Sequence, residues 1–241
     1  MLDMNSPLPL YYQLKTYIQE KIGNGAWKPG DRIPSESEIC GEFNISRTTT
    51  RQAIGELVNE GLLNRKHGVG TFVALPRIEK RMTKLTGFTQ DMRARGLQPS
   101  SRVLGKEVID PPAHVTKRLC ITDNERVILL KRLRLADGEP MGIDIVYYPY
   151  RRFANLLEED LAGNSLYELL QVKYNTTPTR SEMALSSVAC LPEYARHLEV
   201  PRGRPILQIE RTTFDQNDNP FEEVLAIYRG DRYIFHTELF A

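Results

Sequence analysis

The sequence predicts two domains: a small, mainly helical one closed by a β-hairpin, then a larger α+β domain built on an antiparallel sheet. Three observations carry this. Helix-capping residues and apolar residues at helical spacing fill the first quarter of the chain. A basic, glycine-rich turn between two short apolar runs follows them. From about Leu85 onward, strand-like alternation punctuated by turns replaces the helical pattern. A chain of 241 residues suits two such domains, since domains usually run to about 100–200 residues.

Leu10, Leu14, Tyr17, Ile18 and Ile22 recur at helical spacing, which predicts an amphipathic helix over about 9–23. Gly23, Gly25, Pro29 and Gly30 end it in a loop. In "SESE", Ser35 caps a second helix while Glu38 reaches back, a capping box; Ile39 and Phe43 face inward, and the helix stops near Asn44. Ser46 caps a third helix that runs to Glu60, with Gly61 as its stop. Two short helices joined by a tight turn make a helix-turn-helix.

On a helical wheel at about 100° per residue, the three threonines of "SRTTTRQA" separate. Thr50 falls among Ala53, Ile54, Leu57 and Val58 on the buried face. Thr48 and Gln52 lie almost opposite, with Thr49, Arg47 and Arg51 on the flanks. The open face sits where free amides and the positive dipole end favour phosphate, and forked arginine donors suit phosphate or a guanine edge. Taken alone, a capped helix with solvated arginines accounts for this stretch equally well.

The next segment, "GLLNRKHGVGTFV", reads as strand (Leu62, Leu63), basic turn (Arg65 to Gly70) and strand (Thr71 to Val73), the wing of a winged helix-turn-helix. Glycines at its tip let backbone approach a groove, and basic residues follow phosphates. Charge totals say nothing either way. Net charge is +1, and within residues 1–75 eight Lys and Arg balance eight Asp and Glu, so a nucleic-acid partner has to be argued from placement.

The stretch "PGDRIPSESEICGEFNISRTTTRQAIGELVNEGLLNRKHGVGTFV" resembles the DNA-binding domain of the GntR family of bacterial transcription regulators, over about residues 8–75. The resemblance implies DNA contact by Ser35, Arg47, Thr48, Thr49 and Arg51, and by Lys66, His67, Gly68 and Gly70 in the wing. Family members commonly read S-E-R-E where this chain has Ser35-Glu36-Ser37-Glu38, so one arginine contact is expected to be missing or replaced by a weaker hydroxyl one.

Cys40, Cys120 and Cys190 are far apart and odd in number, and the four histidines are scattered. Neither a disulfide framework nor metal-ligand spacing follows, and no metal or cofactor is expected. No apolar run of some 18 residues exists, the N-terminus lacks the regions of a signal peptide, and a cytoplasmic location is expected.

Residues 76–84, "PRIEKRMTK", read as an interdomain linker. Beyond it, "RVILLKRLRLADGEPMGIDIVYY" and "RPILQIERTTFDQNDNPFEEVLAIY" echo each other at a spacing of about 80 residues, which predicts two related antiparallel hairpins. Helices fit at about 151–159, 165–173 and 192–198. Arg132 and Arg134 stand at i and i+2 and so share one strand face, with Leu133 and Leu135 on the opposite, core face. Such a pair suits a phosphate or carboxylate, or is merely a solvated strand face. "GNSLYELL" supplies a second capping box, Ser165 with Glu168, and with it a helix N-terminus fit for an anion.

The segments "LTGFTQDMRARGLQPSSRVL", "KRLRLADGEPMGID", "NSLYELL" and "NPFEEVLAIYRGDRYIF" resemble the HutC-type effector domain, also called UTRA, of chorismate lyase-like fold, over about residues 85–237. They are most similar to regulators of N-acetylglucosamine use. That resemblance implies a homodimeric repressor on a palindromic operator, released by a sugar phosphate such as glucosamine 6-phosphate or N-acetylglucosamine 6-phosphate. It implies that Arg132, Arg134, Ser165 and Tyr167 hold the phosphate, that Asp144, Glu222 and Tyr228 read the sugar, and that a loop at Phe88-Thr89 closes over it. Asp144 stands where a glutamate is usual and Gly87 where a serine is common. A three-residue loop Asp137-Gly138-Glu139 would set Asp144 opposite Arg132, and a two-residue loop would turn it to the other face. The alternatives are an organic acid or unphosphorylated metabolite as effector, or a chorismate lyase-like enzyme. No Ser-His-Asp, Cys-His or metal constellation supports catalysis, and fold alone does not carry function.

Overall fold

The structure, a computed structural model, describes residues 2–4, 6–66, 68–122, 124–161 and 165–239. It divides into two compact units, residues 1–77 and 78–241.

The first unit packs α1 (Leu10–Gly23), α2 (Glu36–Phe43) and α3 (Arg47–Asn59) around Leu14, Ile18, Ile39, Ile54 and Leu57, all at most 1% exposed. The capping box on α2 is complete: Ser35 Oγ accepts the Glu38 amide at 3.2 Å, and Glu38 Oε2 accepts the Ser35 amide at 2.6 Å. Asn44 takes the left-handed conformation that ends α2, and Gly61 does the same just beyond α3. Lys15 ties α1 to α3 through Glu56, at 3.0 Å, and Glu60. Strands β1 (Leu63–Lys66) and β2 (Gly70–Val73) pair antiparallel, and Arg32 adds a β-bridge to Phe72. The wing turn is therefore shorter than the sequence suggests, because Arg65 and Lys66 belong to the ladder.

The second unit is a six-stranded antiparallel sheet in the order β4-β5-β6-β9-β8-β7, with β4 Pro99–Ile109, β5 Val127–Ala136, β6 Glu139–Pro149, β7 Arg180–Ala189, β8 Pro205–Phe214 and β9 Pro220–Arg229. The echo in the sequence extends to whole motifs. Strand β4, helix α5 (Ala113–Leu119), β5 and β6 are repeated as β7, helix α8 (Pro192–Leu198), β8 and β9, each about 80 residues later. The two halves meet where β6 pairs with β9.

Both faces of the central strands are covered, while the edge strand β7 is largely exposed. Ile128, Leu130, Val146 and Val224 pack against α4 (Phe88–Ala94), α6 (Tyr150–Phe153) and α7 (Leu166–Tyr174) through Met92, Phe153 and Leu170. Leu129, Leu133, Ile143 and Ile227 pack against α8 through Ala195 and Leu198. Leu133 thus lies in a core as expected, but the arginine face carries the larger core rather than solvent. A 3₁₀ turn, Ala154–Glu158, follows α6.

Three expectations are corrected. Residues 76–84 do not form a simple linker: β3 (Ile78–Arg81) pairs in parallel with β10 (Tyr233–His236), and Ile78 is 5% exposed. Alternating apolar and charged residues satisfy a strand with one buried face as well as they satisfy a linker. Phe88 and Thr89 begin helix α4 instead of lying in a loop. At α7, Ser165 Oγ accepts the Glu168 amide at 3.4 Å, but the Glu168 carboxylate turns towards Arg93, at 3.9 Å, and the reciprocal half of the capping box is not formed.

Candidate DNA-reading helix and effector pocket

Helix α3 presents the expected face. Ser46 Oγ accepts the Thr49 amide at 3.1 Å and also meets Thr49 Oγ1 at 2.8 Å, so Thr49 serves the cap. Thr50 is fully buried, and its hydroxyl donates back to the Ser46 carbonyl at 3.2 Å. Arg47, Thr48, Arg51 and Gln52 are exposed. Glu36 joins helix to wing, 2.7 Å from Arg65 Nη2 and 3.5 Å from Arg51 Nε. Ser35 is half-buried and engaged as a cap, while Ser37 is exposed. Gly68 has φ +73°, and a Cβ on Gly70 would lie 2.8 Å from Arg32 Nε, so Gly70 makes room for that side chain. Lys66 ends β1; its side chain and all of His67 lie outside the described residues.

In the second unit, the sheet register gathers polar side chains on one face. The β5–β6 turn has two residues, Asp137 and Gly138, with φ of +50° and +79°. By itself that turn would point Asp144 away. A bulge at Met141 restores the phase, because Leu135 pairs with Pro140 while Arg134 pairs with Gly142. Asp144 consequently stands opposite Arg132, an outcome that neither loop length alone describes.

Arg132 and Arg134 are 4% and 3% exposed, so they are no solvated strand face. Arg134 donates to Ser101 Oγ at 2.7 Å and Thr89 Oγ1 at 3.2 Å, lies 3.5 Å from Asp144 Oδ2, and covers the Phe88 ring at 4.4 Å. Burial, aided by the neighbouring Arg132, pulls its pKa down to about 10, which leaves it charged at neutral pH. Arg134 Nε, buried without a hydrogen bond, at least faces Asp144, whereas Arg132 has both Nε and Nη1 buried without a hydrogen-bond partner. Orphaned guanidinium donors cost enough that such a group ordinarily has an anion to meet. Both arginines line a hollow of about 40 Å³ with Thr89, Ser165, Tyr167 and Glu222.

Glu222 is 3% exposed and held on all sides. Tyr148 donates to its Oε1 at 2.5 Å, Tyr167 and Thr213 donate to its Oε2 at 2.8 Å each, and Arg211 Nη2 lies 3.4 Å away. Burial and the Glu222 carboxylate raise both tyrosine pKa values, so both keep their protons and act as donors. Arg211 Nη2 also donates to Tyr167 Oη at 3.0 Å. Beside the hollow, and sharing Phe88, Asp144, Arg211 and Val224 with it, opens a cavity of about 300 Å³ reached by Lys80, Tyr228 and Met183. Tyr228 Oη donates to Asp144 Oδ1 at 3.4 Å.

The structure therefore brings Phe88, Thr89, Arg132, Arg134, Asp144, Ser165, Tyr167, Glu222 and Tyr228 to one place. The sequence reading missed Arg211, Tyr148, Thr213 and Lys80. The echo between hairpins was the available signal for Arg211, because β8 is the counterpart of β5 and both turn an arginine to this face. No local pattern marks Tyr148 or Lys80.

Comparison with known proteins agrees with both halves. Residues 10–73 match the family model described as bacterial regulatory proteins, gntR family, and residues 94–234 match the UTRA domain. The chain is 39% identical to the HTH-type transcriptional repressor NagR of Bacillus subtilis (strain 168), over 97% of this chain and 96% of that one. It is 32% identical to a probable fructoselysine utilization operon transcriptional repressor of Escherichia coli (strain K12), covering 95% and 94%. Among solved structures, PhnF from Mycobacterium smegmatis superimposes with a TM-score of 0.67 at 25% identity, over 96% and 99% of the two chains. With a capped recognition helix and wing in one unit and a buried-arginine pocket in the other, the chain belongs to the GntR family, HutC subfamily: it is an effector-responsive, DNA-binding transcription regulator with a UTRA domain, and not an enzyme.

Proposed function

We propose that this regulator is a cytoplasmic, homodimeric repressor of sugar or amino-sugar utilisation genes, released from a palindromic operator by a phosphorylated sugar. Residues 8–75 read the DNA, each protomer taking one half-site through α3 and the wing. Arg47, Thr48 and Arg51 reach base edges and phosphates, Thr49 and Ser35 position the helices, and Lys66, His67, Gly68 and Gly70 follow the backbone. The domain that follows binds the effector.

One observation carries the effector reading: Arg132 is buried with two unpartnered N–H groups beside the capped N-terminus of α7. A phosphate between them would satisfy both donors and the helix end, with Ser165 and Tyr167 at its edge. Asp144, Glu222 and Tyr228 then border the sugar, and Phe88 and Thr89 close the site as the first turn of a helix. The name of one relative, a probable fructoselysine utilization operon transcriptional repressor, supports a sugar-derivative effector.

Calorimetry with glucosamine 6-phosphate and N-acetylglucosamine 6-phosphate, against their unphosphorylated forms, tests this. Binding is expected only with the phosphate and is expected to be lost in Arg132→Ala. Equal binding of both forms, or tight binding of an unphosphorylated organic acid, would sink the sugar-phosphate reading.

A further inference from the structure

A carboxylate sits among the cations of the DNA-reading surface. Glu36, in the first turn of α2, accepts a hydrogen bond from Arg65 Nη2 of the wing strand β1 at 2.7 Å and lies 3.5 Å from Arg51 Nε of α3. The helix cap does not need it, because Ser35 and Glu38 complete the capping box by themselves. Stability does not explain it either. The Arg51, Arg65 and Glu36 side chains are 70%, 44% and 33% exposed, and ion pairs so open to water contribute little. A carboxylate where phosphate must approach costs binding unless it serves the arginines beside it. Its contact with Arg51 is made at Nε, which leaves the two terminal nitrogens of that guanidinium for a base edge.

We propose that Glu36 is a specificity residue of the DNA-reading surface: it holds Arg51 by the Nε side, with the terminal fork left for a guanine edge, and keeps Arg51 and Arg65 from leaving for the phosphates of unrelated sequence. The assignment rests on the reading of α3 and the wing as the DNA-contacting surface and names a device that makes that surface selective. On a matched site Arg51 serves the base and Glu36 at once, through different nitrogens, and little is lost. On unmatched DNA the same arginine gains only by abandoning Glu36 for a phosphate, and the carboxylate then stands unpaired beside that phosphate. The penalty therefore falls on the wrong sequence, which widens the gap between matched and unmatched DNA. Because one carboxylate meets both α3 and β1, it also fixes the recognition helix against the wing.

Fluorescence anisotropy on the full chain over a salt series tests this, with a duplex selected by the wild-type protein from a randomised pool and an unselected duplex of the same length. Glu36→Gln is expected to bind the unselected duplex about fivefold more tightly, the scale of one ion pair at contact in water, and the selected duplex within about twofold of wild type. Its salt dependence on the unselected duplex should steepen by about one phosphate contact, which a merely structural role would not produce. Glu36→Asp keeps the charge and should keep the wild-type slope. Glu42→Gln should keep it too, since it removes an exposed acid about 240° further round the same helix. Equal gains on both duplexes, an unchanged slope in a folded Glu36→Gln protein, or a steepened slope in either control would overturn the role. If Arg51→Ala bound the selected duplex as tightly as wild type, the recognition-helix reading beneath the proposal would fall instead.

Discussion

Thr48 and Thr50 are two residues apart and have opposite environments, because two steps of an α-helix turn a side chain by about 200°. Thr50 is fully buried against Cys40 Sγ, at 3.3 Å, and its hydroxyl is spent on the carbonyl of Ser46. Replacing it by valine removes that bond but leaves the Ser46 carbonyl its helical amide partner, Thr50 N. Thr50→Val is therefore expected to change stability by less than about 1 kcal/mol in thermal melts and to leave operator binding intact. Thr48→Val should fold normally and weaken operator binding by about 1 kcal/mol, read by gel shift or fluorescence anisotropy. An exchange of the two outcomes would show the helix phase to be wrong. Gly142 is a second single-residue constraint. A Cβ there would lie 2.4 Å from Tyr228 Cδ1 and 2.9 Å from the Ile227 carbonyl. Gly142→Ala should cost about 1–3 kcal/mol by overpacking and lower effector affinity through displacement of Tyr228.

At the scale of elements, the β8–β9 turn is held by one carboxylate. Asp215 is 1% exposed, accepts the amides of Asn217 and Asn219 at 2.9 and 3.0 Å, and meets Arg152 at 2.7 Å. Burial pushes its pKa up, but those two amides and the Arg152 guanidinium outweigh burial and hold it below the usual aspartate value. A depressed folded pKa means that the stabilisation is present above the unfolded value of about 4 and is lost as pH falls through the folded value. Asp215→Ala is expected to cost about 3 kcal/mol at pH 7, and the gap from wild type should narrow in melts taken below about pH 4. The same scale shows how a site can be legible in part. Capping residues announce α2, α3 and α7, because a cap is a local bargain between one side chain and a nearby amide. Strand β3 escaped notice because its partner, β10, lies at the far end of the chain. Helix α4 escaped for want of a cap, since Gly87 precedes it and makes no side-chain bond.

For the whole molecule, regulation requires that effector and operator favour different states, and the coupling between two binding equilibria is reciprocal. If the effector lowers operator affinity by some factor, a saturating operator duplex must lower effector affinity by the same factor. Calorimetry with and without the duplex, set beside anisotropy with and without effector, checks this; coupling in one direction only would exclude a simple two-state linkage. The sequence by itself determined the recognition helix, its caps and its phase, the wing, and the two echoing hairpins, since each is written in residues that are neighbours along the chain. Only the tertiary structure decided the candidate effector pocket. A bulge at Met141 restores the phase of Asp144, Arg211 arrives from the second half of the repeat, and Tyr148 and Lys80 come from strands flanked by ordinary sequence. Such a site depends on strand register summed over distant segments, and a shift of one residue anywhere in that sum would turn a charged side chain to the other face.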